Sequence, residues 1–145
     1  MDGEQLTIDE PMMAVEQELG DGLRTNQVRE TNVHRRRYIK DGLDLWCNNR
    51  VLAIRLVGQR APALELQSSG PGPGKTDQVR VGMSFDDVLA LVGEDARNWD
   101  KRLGSSAAIE YRYFYRLGFG VRVTDSGRVT EIIVAQIPDE AVVKR

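Results

Sequence analysis

The sequence has few of the residues that usually specify a chemical function. It contains one cysteine, Cys47, and one histidine, His34, among 145 residues. A single cysteine excludes an intrachain disulfide, and the lack of a Cys/His cluster argues against a zinc site. No stretch approaches the roughly 18 to 20 consecutive apolar residues that a membrane-spanning helix needs. We therefore expect no cofactor, no metal and no membrane span.

The charge of the chain is small but unevenly distributed. The formal net charge is −2, which does not favour general nucleic-acid binding or membrane attraction. Residues 1–22 carry seven acids and no lysine or arginine, whereas residues 23–40 are rich in arginine. The acidic N-terminal stretch lacks the apolar segment of a signal peptide. We therefore expect a cytoplasmic location.

Two regions have the alternating pattern of a β-hairpin. Between Leu117 and Val123 apolar residues alternate with glycine and arginine, which is typical of a half-buried strand. Asp125-Ser126-Gly127 is a turn sequence, and the alternation then resumes to Val134. A similar pattern occupies residues 42–56. We predict an antiparallel hairpin in each region.

A short helix is predicted ahead of each hairpin. Between Phe85 and Val92 apolar residues recur at i, i+3, i+4 and i+7, and Ser84 is a good N-cap. A comparable apolar stripe runs from Met12 to Leu19. The matching order of helix and hairpin indicates a duplication. We therefore predict an α+β fold of two tandem repeats, each a helix packed on a small antiparallel β-sheet of three or four strands.

Composition predicts the boundaries of these units. Residues 67–77 are rich in Gly, Pro and Ser and have the character of a flexible linker. We predict repeat units at residues 1–66 and 78–137 and a tail at 138–145. Within the linker, Ser69 to Thr76 is a near miss to a phosphate-binding loop. Two prolines remove backbone donors there, so a linker is the better interpretation.

The few residues that could carry out chemistry have simple structural interpretations. Cys47 lies in the apolar phase of a strand, which favours a buried structural thiol over a nucleophile. His34 stands beside three arginines, and we predict it to be a solvated surface residue. The acid pair Asp86-Asp87 suits the first turn of a helix, where carboxylates are favoured by the helix dipole.

The more informative surface is the face of the predicted sheet that is turned away from the helices. Strand alternation places Trp46, Ala53 and Arg55 on that face in the first hairpin. The corresponding residues of the second hairpin are Arg122, Glu131 and Ile133, with Phe114 and Arg116 nearby. Tryptophan beside arginine is typical of protein-binding hot spots. The alternative is that Trp46 is buried in a core shared by the two units.

The second half of the chain also resembles a known module. A Gly82-Met83-Ser84 turn precedes the helix that ends at Gly93, and an aromatic strand and the hairpin of residues 118–134 follow. This arrangement is similar to the repeat of β-lactamase inhibitor protein and of the SmpA/OmlA-type lipoproteins of outer-membrane assembly. It covers residues 79–134 and, faintly, 6–56. The resemblance implies a non-enzymatic module that presents a concave sheet to a protein partner.

The chain departs from that group at three points. Residues 9–11 read Asp-Glu-Pro where the second unit has its Gly-Met-Ser turn. The inhibitor's paired cysteines are absent, and so is a lipoprotein cysteine near the N-terminus. These departures argue against secretion and against an outer-membrane role.

We therefore predict a non-enzymatic protein–protein interaction or adaptor module, either a subunit of a larger assembly or an inhibitor-like binder. Its partner would be another copy or a different protein. Two alternatives stay open. One is a small enzyme or ligand-binding domain with a pocket between the repeats, and the other is phosphate-backbone binding through Arg35 to Arg37. The candidate protein-binding residues are Trp46, Arg55, Arg122, Glu131 and Ile133.

Overall fold

The structure is a computed structural model that describes residues 6–24, 33–67, 76–103 and 110–135. Two helices, α1 at Met12–Leu19 and α2 at Phe85–Val92, lie in these ranges, with 3-10 turns at Ile39–Asp41 and Gly93–Arg97. The strands are β1 Leu23–Arg24, β2 His34–Tyr38, β3 Leu43–Cys47, β4 Val51–Val57, β5 Leu64–Gln67, β6 Thr76–Val79, β7 Asp100–Leu103, β8 Glu110–Phe114, β9 Phe119–Val123 and β10 Val129–Ala135.

Both predicted hairpins are confirmed. Strands β3 and β4 pair antiparallel, and so do β9 and β10. The turn between β9 and β10 contains Gly127 at a φ of 84°, a conformation that glycine adopts without strain. In both hairpins the apolar alternation of the sequence therefore corresponds to real strands.

The two hairpins are not separate sheets, because β4 and β10 also pair with each other. Leu56 lies opposite Ile132, and Ile54 lies opposite Val134. The result is one antiparallel sheet in the strand order β1-β2-β3-β4-β10-β9-β8-β7, beside a two-stranded β5–β6 sheet. Pairing satisfies the backbone donors and acceptors that each hairpin would otherwise leave on an open edge.

The predicted fold class is therefore wrong. The described chain is mostly sheet, with two helices of eight residues each. It is not an α+β fold of two tandem helix-on-sheet repeats. Alternation within a hairpin identifies its two strands and their faces, but it does not indicate which other strand pairs with the outer edge of the hairpin. That pairing joins residues more than seventy positions apart and leaves no local pattern in the sequence.

The hydrophobic core lies on one side of the large sheet, beneath the helices. Phe114 and Phe119 stack with ring centroids 5.0 Å apart, and Phe85 of α2 lies 6.4 Å from Phe114. The predicted cap of α2 is confirmed, because Ser84 Oγ accepts a hydrogen bond from the Asp87 backbone N–H at 3.1 Å. Phe114 is fully buried here, so its predicted place near the outward face is wrong.

Helix α1 is held on the same side by polar contacts as well as apolar ones. Arg36 Nη2 lies 2.8 Å from Glu16 Oε1, and the Tyr38 hydroxyl donates to the Gly20 carbonyl at 2.9 Å. Met12 is buried in the core. In residues 6–24, 33–67, 76–103 and 110–135, no helix is both long enough and apolar enough to span a bilayer.

Most of the predicted linker and the predicted tail lie outside the described residues. Gln67, Thr76 and Asp77 belong to the paired strands β5 and β6, while residues 68–75 and 136–145 lie beyond the described ranges. The near-miss phosphate loop falls almost entirely in that undescribed stretch. The predicted boundaries of the units stay a prediction.

Candidate functional site

The second side of the sheet carries an ionic network that begins in strand β2. The alternation of a strand sends His34, Arg36 and Tyr38 to the helix side and Arg35 and Arg37 to the opposite side. The network extends over β3, β4, β10 and β9, and we call it the arginine face. Its members are Arg35, Arg37, Asp44, Trp46, Arg55, Arg122 and Glu131.

Asp44 is the centre of one half of the arginine face. Its carboxylate accepts from Arg35 Nη2 at 2.5 Å, Arg55 Nη1 at 3.0 Å and Arg37 Nε at 3.3 Å. The Asp44 side chain is only 4% exposed. A carboxylate removed from water in this way is stable only when opposite charges and hydrogen bonds replace its hydration. Three guanidinium groups therefore hold it, and it fixes them in return.

Glu131 is the centre of the other half. Arg55 Nη2 lies 2.5 Å from Glu131 Oε1, Arg122 Nη1 lies 3.5 Å from the same atom, and the Tyr111 hydroxyl donates to Oε2 at 2.8 Å. Arg55 thus bridges the two buried carboxylates across the β4–β10 pair. This bridge joins the two hairpins on the side of the sheet that has no helix among the described residues.

Burial and pairing shift the pKa values of Glu131 and Tyr111 in opposite directions. Burial raises the pKa of Glu131, but the hydrogen bonds from Arg55 and Tyr111 and the charges of Arg55 and Arg122 outweigh it, so the net pKa is lowered. Burial, followed by the hydrogen bond to Glu131, raises the pKa of Tyr111 to about 12. At neutral pH Glu131 is therefore ionised, and Tyr111 is a neutral donor.

Trp46 lies at the β2–β3 end of the arginine face. The guanidinium carbon of Arg35 is 5.3 Å from the centroid of its ring, which is cation–π distance. The indole is half-buried, while its neighbours Leu45 and Cys47 are fully buried on the helix side. Trp46 therefore faces outward and does not belong to the helix-side core.

All five predicted site residues lie on this side of the sheet. Arg55, Arg122 and Glu131 are in direct contact, and Ile133 lies directly opposite Arg55 in the register of β10 and β4. Glu131 is buried, so its part is to position the arginines rather than to reach a partner. Ile133 is half-buried.

The predicted protein-binding face leaves out Asp44 and Tyr111, and the sequence assigns Arg35 and Arg37 only to an alternative phosphate-binding run. The signal was present, because a charged residue at 44 interrupts an apolar strand in the same phase as Trp46. Arg35, Arg36 and Arg37 form one basic segment in the sequence, but strand alternation places them on opposite sides of the sheet. Arg36 turns to the helix side and pairs with Glu16, so these three arginines do not form a continuous basic patch.

His34 and Cys47 come together on the helix side. Cys47 Sγ lies 3.4 Å from His34 Nε2, and Arg36 Nε donates to the same nitrogen at 3.2 Å. His34 is 7% exposed, so the prediction of a solvated surface histidine is wrong. Cys47 is fully buried, as predicted, and burial raises the pKa of its thiol despite the opposing charges of Arg36 and Arg24. A neutral buried thiol is a poor nucleophile.

Within the described ranges, no group of three or more His, Cys, Asp and Glu side chains is arranged to hold a metal ion. The comparisons with known proteins add no assignment to this geometry. No protein-family model matches the chain, and no curated protein or solved structure does so either.

Proposed function

We propose that this chain is a non-enzymatic protein-binding module, and that the arginine face is the surface that contacts the partner. The observation that carries the proposal is the half-buried Trp46, with Arg35 against its ring, on a sheet face that no helix covers among the described residues. Tryptophan and arginine are the residues most enriched where interfaces concentrate their binding energy.

The fixed positions of the arginines support the same function. A free arginine loses side-chain entropy when it binds, and that loss weakens the complex. Here Asp44 and Glu131 already hold the guanidinium groups in place, at distances of 2.5 to 3.5 Å. A partner that contacts these groups therefore meets donors that are ordered before binding.

The two alternative functions have weaker support. Phosphate-backbone binding through Arg35 to Arg37 would need adjacent cations, but Arg36 lies on the other side of the sheet. An enzyme built on His34 and Cys47 would need an accessible thiolate, and both residues are buried on the helix side of the sheet. The proposal also includes a role as an adaptor or inhibitor-like subunit, a cytoplasmic location and the resemblance to β-lactamase inhibitor protein.

The test is the substitution Trp46→Ala. Proteins retained by the tagged chain from its native cell are identified, and each binary affinity is measured by titration calorimetry with purified protein. We expect Trp46→Ala to weaken the complex by roughly 2 kcal/mol, which is about thirtyfold in Kd. The matched control is Tyr115→Ala, which removes an exposed aromatic from the turn between β8 and β9.

Thermal unfolding of each variant separates binding from folding. The proposal requires Trp46→Ala to unfold at close to the parent temperature, because its ring lies outside the helix-side core. It would be overturned if every retained partner bound the variant as tightly as the parent. It would also be overturned if the variant did not fold, since Trp46 would then be a core residue.

A further inference from the structure

The arginine face carries more positive charge than its own carboxylates neutralise. Four arginines surround two buried acids, which leaves a formal excess of two positive charges. This excess is local to the arginine face, because the whole chain has a net charge of −2.

The excess is concentrated in two arginines that reach solvent. The side chains of Arg37 and Arg122 are 39% and 41% exposed, whereas that of Arg55 is 20% exposed. Each of the two contacts a carboxylate through a single nitrogen, at 3.3 Å and 3.5 Å respectively. A guanidinium has five N–H donors, so both retain donors for an incoming acceptor.

We infer that the partner is a protein segment that presents aspartate or glutamate side chains to Arg37 and Arg122, next to the Arg35–Trp46 pair. This inference rests on the proposed function and specifies the chemistry of the partner. Bidentate arginine–carboxylate pairs are favourable where the guanidinium is already oriented. Complementary charge also speeds encounter and excludes partners of the wrong sign.

The same charges disfavour the other occupants of this surface. Asp44 and Glu131 lie between the arginines, so a continuous phosphate backbone would pass beside two fixed negative charges. Arg35 lies 5.3 Å from the centre of the Trp46 ring, where a nucleobase would otherwise stack. A second copy that met this chain face to face would bring two positive surfaces together.

The decisive variant is Arg37→Gln combined with Arg122→Gln. It leaves two arginines, Arg35 and Arg55, against two carboxylates and so removes the excess charge. Arg37→Lys with Arg122→Lys keeps the charge and loses the planar fork. The matched control is Arg80→Gln with Arg97→Gln, which removes the same charge from the exposed segments on either side of α2.

The probe is a random dodecapeptide phage library selected on the full chain, followed by synthetic peptides measured by fluorescence anisotropy. We expect the selected peptides to be richer in Asp and Glu than the input library. Their binding should weaken about tenfold or more in the double Gln variant and weaken less in the double Lys variant. It should stay near the parent value in the control. Raising the salt from about 50 to about 300 mM should weaken it further.

Three outcomes would overturn the inference. Selected peptides that need Trp46 but are not acidic would remove the acidic partner and leave the proposed function standing. A library that yields no peptide dependent on Trp46 would remove both. An oligothymidylate that bound as tightly as the best peptide, and lost that affinity in the double Gln variant, would replace the acidic protein with phosphate. If the double variant does not fold, Arg122→Gln alone carries the test, because it leaves every contact of Asp44 in place.

Discussion

The two sides of the large sheet are built from the same strands and are stabilised by different physics. On the helix side, Leu45, Phe119 and Ile132 are almost completely buried among apolar neighbours. On the other side, the same strands contribute Asp44 and Glu131, buried among arginines. Apolar burial stabilises the fold without regard to direction, whereas buried ion pairs contribute little net stability and need precise geometry.

This difference indicates which side of the sheet is the better candidate for a functional surface. A sheet needs only one apolar side to pack against its helices, so the second side is free to vary. Alanine or uncharged polar residues would occupy that side at a smaller cost in free energy than two desolvated carboxylates. The arginine face is therefore the part of the molecule that stability alone does not explain. Three pairs of substitutions test this contrast, and their expected effects on stability decrease from the first pair to the last.

Phe119→Ala should have the largest effect, because it empties a site on the helix side where the ring stacks on Phe114 at 5.0 Å. We expect the free energy of unfolding to fall by about 3 to 5 kcal/mol in urea denaturation. The control is Leu117→Ala, two residues earlier in an exposed turn, which should change it by less than about 0.5 kcal/mol. Equal costs for the two variants would show that the helix side is not the main source of stability.

Glu131→Gln should cost about 3 kcal/mol at neutral pH, because it leaves Arg55 partly buried with one carboxylate fewer. The folded pKa of Glu131 is lowered, so its stabilising effect is complete above the ordinary value of about 4.3 and is lost as the pH falls through the folded value. The gap in unfolding free energy between parent and variant should therefore be constant from about pH 6 to 8 and shrink below about pH 4.3.

The control for that substitution is Glu110→Gln, which breaks an exposed pair with Lys101 at 3.6 Å. Exposed pairs contribute little, and we expect a change of at most about 0.5 kcal/mol. A Glu131→Gln variant that behaved like this control would mean that the network is not coupled to folding.

The smallest effects on the free energy of unfolding are expected from substitutions of two neighbouring residues of β2, Arg36 and Arg37. Arg36→Gln removes the ion pair with Glu16 and the hydrogen bonds to His34 and the Asp21 carbonyl, and we expect a loss of about 1 to 2 kcal/mol. Arg37→Gln removes one exposed contact with Asp44, and we expect less than about 0.5 kcal/mol. Chemical denaturation of both variants measures the difference, and the reverse order would show that the sides of β2 are misassigned.

Part of this structure could be predicted from the sequence, and the reason is periodicity. The hairpins, the Ser84 cap and the outward phase of Trp46 depend on residues within a few positions of one another. The joining of the hairpins through β4 and β10 depends on residues far apart, and it makes one sheet where two small ones are expected. The prediction for His34 is wrong for a similar reason. Its neighbours in sequence are arginines, but its neighbour in space is Cys47 on the adjacent strand.

The arginine face could be predicted in outline but not in detail. Strand phase identifies Arg55, Arg122 and Glu131, and the contact of Arg122 with Glu131 follows from it within one hairpin. The contact of Arg55 with Glu131 needs the pairing of β4 with β10. The part of Asp44 needs the pairing of β2 with β3, which places Arg37 directly opposite it. Once that register is known, the sharing of one carboxylate by three arginines follows from their lengths and the spacing of strands.

The pairing of β4 with β10 also has a consequence for the way the chain is made. Arg55 and Glu131 are 76 residues apart, and β10 is the last of the described strands to leave the ribosome. At typical synthesis rates β4 waits roughly 4 to 15 s for its partner, with the backbone groups of one edge unpaired. An edge of this kind can pair with other chains. A strand at the centre of the finished sheet is therefore an open edge in the nascent chain, and slowed translation after residue 57 should increase aggregation.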